Sequence, residues 1–384
     1  MPAEGNKECD FPTYKYRGSL SAKNDLYILS IPRKPDTFHI RLTDDPFLFK
    51  MGFLYSQLVE SRKLPYPEGD QSGKTVVITG SNTGLGKEAA RHFARLGAAR
   101  LILAVRNVES GGAAKRDILE STRANTDIQV WQLDMASYAS VKSFAARVAA
   151  ELDRIDIFIE NAGLAKMAWS TAEDNETQIT VNVVSTMLLA ALVLPKLKEV
   201  AATFGIRPTL TLTSSGAHAH TQLPHAHVAR QSGGGSVFAT LNDKAFAEAH
   251  WAEQYPASKL LPIYHVRSIA ERTQQPAAAD YPVTINLANP GLCESGLARE
   301  AAGMQAVMFF VMKGVLARTT EQGSRTIFHA ATQGAETHGQ YMSDCRIDQP
   351  SGTVTKGKEL QDRLWQELVV KLEKIQPGVT KNFF

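Results

Sequence analysis

Two rhythms of apolar residues alternate along most of this chain. Short continuous runs predict strands at Thr75 to Ile78, Leu101 to Val105, Ile128 to Leu133, Ile155 to Ile159, Thr209 to Thr213 and Val283 to Ala288. Unbroken, β-branched runs of this length suit strands buried on both faces. Between them, apolar residues recur every three or four positions, as a helix with one buried face requires. Ala89, Ala90, Phe93 and Leu96 do so before Gly97, and Ile118 and Leu119 follow Gly111 and Gly112. Val141, Phe144 and Val148 follow a capping Ser137; Val181, Val184, Leu188 and Leu192 belong to a long helix from about Glu176. Further helices are predicted around Tyr255 to Ile269 and from about Leu360 to Leu372. The alternation predicts an α/β fold with a doubly wound, Rossmann-type parallel sheet, whose ligands bind at the carboxyl ends of the strands.

Three stretches fall outside the rhythm. Residues 1–50 show no helical period and read as an N-terminal extension, whereas 51–70 read as a short amphipathic helix and linker ended by Pro65 and Pro67. Residues 71–384 then form the main domain. Within it, the His- and Gly-rich insertion at 216–250 looks loop-like, a flap over the substrate mouth. Leu292 to Gly303 reads as a substrate loop. The apolar Met304 to Leu316 reads as a core or dimer-facing helix, with a pocket lid or membrane-touching surface as the alternative.

Composition narrows the partners. The chain has 384 residues, 43% of them hydrophobic, enough for a full core. A formal charge of +3, from 42 basic and 39 acidic residues, gives no electrostatic case for nucleic acid. Three scattered cysteines make neither a disulfide framework nor a zinc pattern. The first residues lack a signal peptide's basic and apolar segments, so a cytoplasmic protein is expected, with membrane-surface association left open. His218, His220, His225 and His227 form two His-x-His pairs without a carboxylate or cysteine partner, and no metal is expected.

The chemistry clusters at strand ends. After the first strand comes Gly80-Ser81-Asn82-Thr83-Gly84-Leu85-Gly86, leading into a helix. Glycines there let backbone approach a ligand, and the helix N-terminus offers free N–H groups to a pyrophosphate. Arg106 follows the second strand with no acid beside it, which favours the 2′-phosphate of NADP over NAD. Asp134 ends the third strand and Asn161 follows the fourth. Tyr255 and Lys259 stand one helical turn apart, where an ammonium lowers the pKa of a phenol. Ser215 ends the fifth strand, where a hydroxyl can polarise a carbonyl; Asn182, on the long helix, can anchor a relay water.

Taken together, these motifs resemble the short-chain dehydrogenase/reductase family over roughly residues 70–345, in the branch of retinol dehydrogenase-like and fungal biosynthetic reductases. The resemblance implies a catalytic tetrad of Asn182, Ser215, Tyr255 and Lys259. It implies that Asp134 bonds the adenine amine and that Asn289-Pro290-Gly291, with Leu292, borders the nicotinamide. The function implied is NADP(H)-dependent hydride transfer on a carbonyl or alcohol of an apolar small molecule, as in secondary metabolite biosynthesis. Two departures stand out. Glu160 replaces the first asparagine of Asn-Asn-Ala-Gly, a change expected to matter little, and Ser215 and Tyr255 are farther apart than in the family. A catalytically silent NADP-binding regulatory protein is the alternative; it would be marked by a lost Tyr or Lys, and neither is lost.

Overall fold

The computed structural model describes residues 46–231, 235–273, 281–294, 316–355 and 357–384. The 1–45 part of the extension, and most of the predicted substrate loop and Met304 to Leu316 helix, lie outside the described residues.

Eight strands make one sheet in the order β10-β9-β8-β7-β4-β1-β2-β3. They are β1 (Thr75–Thr79), β2 (Arg100–Val105), β3 (Asp127–Gln132), β4 (Ile157–Glu160), β7 (Thr209–Thr213), β8 (Thr284–Asn289), β9 (Tyr341–Ser343) and β10 (Arg346–Asp348). A separate two-residue ribbon pairs β5 (Thr171–Ala172) with β6 (Asn175–Glu176). All pairings in the main sheet are parallel except β9 with β10. The order reverses between β1 and β4, the switch point at which open α/β sheets bind ligands.

Helices cover both faces. On one lie α2 (Gly84–Arg95), α3 (Val108–Thr122) and the later Thr320–Ala331, around Ile78, Phe93, Leu103 and Ile327. On the other lie α4 (Tyr138–Glu151), α5 (Thr177–Phe204), the helix Trp251–Thr273 and the C-terminal Lys358–Ile375. Val77, Ile102, Phe158 and Leu188 there are wholly buried, and each such side chain contributes about 1.5–3 kcal/mol. By length and composition α5 could cross a bilayer, yet 94% of its most apolar window lies inside the fold, so its apolarity serves the core.

Several expectations need correcting. Helix α1 spans Pro46–Leu58, beginning ahead of Met51 and ending before the prolines. Gly111 and Gly112 lie inside α3 rather than before it, because Asn107 caps the helix by accepting a hydrogen bond from the Ser110 N–H. The insertion is largely helical, not a loop: Pro224–Gln231, Val237–Leu241 and Lys244–Ala249 follow a 3₁₀ turn at Gly216–His220. Ser236 and Asp243 supply caps to the second and third of these helices. The β9–β10 hairpin was not foreseen. Its turn places Asp344 and Cys345 at φ of 51° and 55°, without the Asn-Gly or Asp-Gly pair that announces such a turn.

Candidate active site

The glycine turn follows β1 at the switch point. Gly80 has φ of +65°, and a Cβ on it would sit 2.9 Å from the Ala162 Cα. A Cβ on Gly86 would meet the Asn161 amide nitrogen at 2.4 Å and the Gly80 carbonyl at 2.7 Å. Asn161 donates from that amide to the Thr79 and Gly80 carbonyls, so the β4 loop and the turn brace each other. Thr79, which the sequence did not single out, accepts from the Asn161 and Ala162 N–H groups through its hydroxyl. Ser81 is buried and donates to the Ile78 carbonyl, while the Asn82 amide reaches Ser110 on α3. Their side chains hold the turn, which leaves its backbone, with partly exposed Gly84 and Leu85, to face a ligand.

Arg106 lies exposed beyond β2, beside this turn, because β1 and β2 pair in parallel with Thr79 opposite Ala104. Asp134 follows β3, one strand further out. One of its carboxylate oxygens accepts from the Ala136 N–H.

The reactive group gathers at the carboxyl ends of β4, β7 and β8. The Ser215 hydroxyl lies beside the Tyr255 phenol, whose ionisation it favours, and accepts from the Ala217 N–H. Lys259 is buried, with Nζ donating to the Thr213 carbonyl at 3.1 Å. Asn182 sits on a π-helical turn, Thr180–Ser185, within α5. Its side-chain oxygen accepts from the Leu164 N–H, and its amide donates to the Leu164 carbonyl and the Ser258 hydroxyl. Gly163 lies between: a Cβ there would be 3.1 Å from Asn182 Oδ1 and 3.2 Å from Lys259 Nζ. All four expected residues therefore converge. The Asn182 amide, however, holds the loop beside the site.

Burial lifts the Tyr255 phenol to about 12, against the neighbouring Ser215 hydroxyl, which favours ionisation. Burial also lowers the Lys259 ammonium to about 8. The expectation that Lys259 pulls the phenol down is not met in this arrangement. The ammonium is spent on the Thr213 carbonyl, and desolvation dominates the phenol.

Two residues matter more than the sequence suggested. Asn289 accepts from both the Gly216 and Gly291 N–H groups, tying the serine loop to the Pro290 turn. Buried His218 pairs its Nδ1 with the Ser215 carbonyl at 2.7 Å and accepts at Nε2 from the Ser351 N–H at 3.0 Å. That geometry requires the neutral ring, and burial pushes its pKa down to about 4. Among the described residues no group of three His, Cys, Asp or Glu could hold a metal. Glu160 is not the small change expected. It is buried at the end of β4, and neither carboxyl oxygen has a partner among the described residues. Desolvation raises its pKa well above the ordinary range.

A family model for short chain dehydrogenase matches residues 74–205. The short chain dehydrogenase/reductase dmxR8 of Cryptosporiopsis sp. is 59% identical over 87% of this chain and 100% of its own length. The chain belongs to the short-chain dehydrogenase/reductase family. A second member, the short-chain dehydrogenase anuD of Penicillium roqueforti, is 38% identical over 86% of this chain and 84% of its own. The fold agrees with that membership. The Pseudomonas aeruginosa RhlG/NADP active-site complex is similar at a TM-score of 0.51 and 20% identity, covering 71% of this chain and 95% of that one. The short-chain dehydrogenase/reductase sheet thus accounts for β1 to β4 and the glycine turn within the matched segment, while Tyr255, Lys259 and Pro290 lie beyond it.

Proposed function

We propose that the chain catalyses reversible hydride transfer between NADP(H) and the carbonyl or alcohol carbon of an apolar small molecule, within fungal secondary metabolism. The observation that carries this reading is the gathering of Ser215, Tyr255 and Lys259 beside the end of β7, with Lys259 and Asn182 both lying against Gly163. A nicotinamide dinucleotide suits the residues present, because close packing at Gly80 and Gly86 fixes a turn that leads into the N-terminus of α2, whose free N–H groups suit a pyrophosphate. Arg106, exposed and without an adjoining acid, would hold the 2′-phosphate; Asp134 would take the adenine amine. Pro290 and Leu292 would border the nicotinamide, and Lys259 its ribose.

When bound, the nicotinamide supplies the hydride in reduction and takes it in oxidation. Tyr255 gives its phenolic proton to the carbonyl oxygen as the hydride reaches carbon, and Ser215 holds that oxygen by its hydroxyl. A phenol at about 12 is protonated at neutral pH, the form reduction needs. Oxidation needs the phenolate, so it requires the Lys259 ammonium to turn from the Thr213 carbonyl toward the phenol. Asn182 would hold the Leu164 backbone in place beside the substrate.

The test is NADPH consumption against a panel of apolar ketones and aldehydes, by wild type and by Tyr255→Phe. Wild type should consume NADPH with at least one carbonyl and the variant with none. NADPH bound but not consumed with any carbonyl would leave the silent cofactor-binding reading in its place.

A further inference from the structure

The Pro290 turn is held from outside the fold's shared core. Gly291 adopts φ of +78°, and a Cβ there would lie 2.7 Å from Gln57 Oε1 and 2.9 Å from the Arg318 guanidinium. Gln57, on α1, is buried and uses its whole amide on this segment. Its nitrogen donates to the Leu292 carbonyl at 2.9 Å and the Leu316 carbonyl at 3.0 Å, while its oxygen accepts from the Leu292 N–H at 3.2 Å. Arg318, fully enclosed, donates to the Pro290 carbonyl and to the Ser56 carbonyl and hydroxyl. It also pairs with Asp344 in the β9–β10 turn, whose second oxygen accepts from the Ser56 hydroxyl. The inner side of the turn is fixed by Asn289, shared between Gly291 and Gly216, next to Ser215. A continuous set of hydrogen bonds therefore runs from α1 to the catalytic serine loop.

We propose that α1 is a working part of the active site: Gln57 is a positioning residue that, with Arg318 and Asp344, sets the Pro290–Leu292 turn on which the nicotinamide half of the cofactor seats. The proposal rests on the NADP(H) reading above. Its physical basis is preorganisation. A turn held at positive φ by buried side-chain bonds need not be ordered when the cofactor arrives, so losing the clamp transfers that ordering to binding. The adenosine half seats on a glycine turn that the clamp does not touch.

Two probes separate the halves: NADPH, and adenosine 2′,5′-bisphosphate, which contains only the adenosine half. Their dissociation constants would be measured by calorimetry on the full chain for wild type, Gln57→Met and Ser56→Ala. Gln57→Met keeps the volume and removes all three bonds. It should weaken NADPH about tenfold, the scale of one uncompensated hydrogen bond, and leave the bisphosphate unchanged. At saturating NADPH its kcat should stay close to wild type, since Tyr255 and Ser215 are intact. Ser56→Ala, a milder cut in the same clamp, should move NADPH alone in the same direction, and it carries the comparison if Gln57→Met does not fold. Equal weakening of both probes, or of neither, would overturn the clamp while sparing the cofactor reading. Wild type that binds neither probe would overturn both.

Discussion

The two ends of the proposed cofactor site are built on opposite principles. At the glycine turn the backbone is shaped by what is missing: neither Gly80 nor Gly86 has room for a Cβ, and the neighbours that fill that room are Ala162, the Gly80 carbonyl and a backbone-bonded asparagine. At the Pro290 turn the backbone is shaped by what is added: Gln57 from α1 and Arg318 from the segment before Thr320–Ala331 grip its carbonyls and amides, and Asp344 of the hairpin holds Arg318 in place. A turn of the first kind is braced by backbone and by the adjoining β4 loop, within the segment that the family model matches. The second depends also on α1, more than two hundred residues away, and so can be tuned from afar.

Between the two ends stands the chemistry, and breaking it should give the largest effect. Tyr255→Phe keeps the ring and removes only the proton donor. Turnover should fall by about a thousandfold, the scale of lost general acid catalysis, while NADPH binding measured by fluorescence stays near wild type. Normal turnover in that variant would remove Tyr255 from its role.

Next in size is the adenosine end. Arg106→Asp exchanges a phosphate partner for an acid and should weaken NADPH by about 1.5–3 kcal/mol while sparing NADH. Equal losses for both cofactors, in parallel titrations, would place Arg106 outside the site. Gly86→Ala attacks the same end through the backbone. Its methyl must displace the Asn161 amide, which should lower stability by about 1–3 kcal/mol in a urea melt and weaken NADPH as well. An unchanged melt would show that the turn yields where the geometry says it cannot.

The smallest effect is a pH dependence that tells the nicotinamide end from the adenosine end. Lys259 has a pKa lowered to about 8, so its ammonium is present below that pH and is lost as pH rises through it. The KM for NADPH should therefore climb above pH 8 in wild type, and stay high and flat in Lys259→Met. Adenosine 2′,5′-bisphosphate affinity should not follow that rise, and a parallel rise would assign it to another group.

Much of this arrangement could be read from the sequence, and the difference between the two ends explains which part. The six longer strands, the glycine turn, and the Tyr255–Lys259 spacing are local patterns, and each appears where its period or motif placed it. Gln57 and Arg318 belong to no motif. They become partners only because the fold brings α1, β8 and the hairpin together, and a lone glutamine in an amphipathic helix carries no sign of it. The β9–β10 strands have three residues each, too few to show alternation, and their turn uses Asp344 and Cys345 where a glycine would have announced it. The helices of the insertion were hidden by histidines and glycines, although Ser236 and Asp243 were readable as caps. Lys259 was placed correctly along the chain. Its charge was not, because the Thr213 carbonyl that takes it belongs to another element.

Glu160 carries one more consequence, in the traffic of protons. The formal charge of +3 counts it as an anion, but the folded chain keeps its carboxyl protonated at pH values where an exposed glutamate has already ionised. Unfolding in that range must release a proton, and the folded state binds the more protons of the two. From this group alone, stability falls as pH rises above the ordinary carboxylate pKa, the reverse of an ion-paired acid.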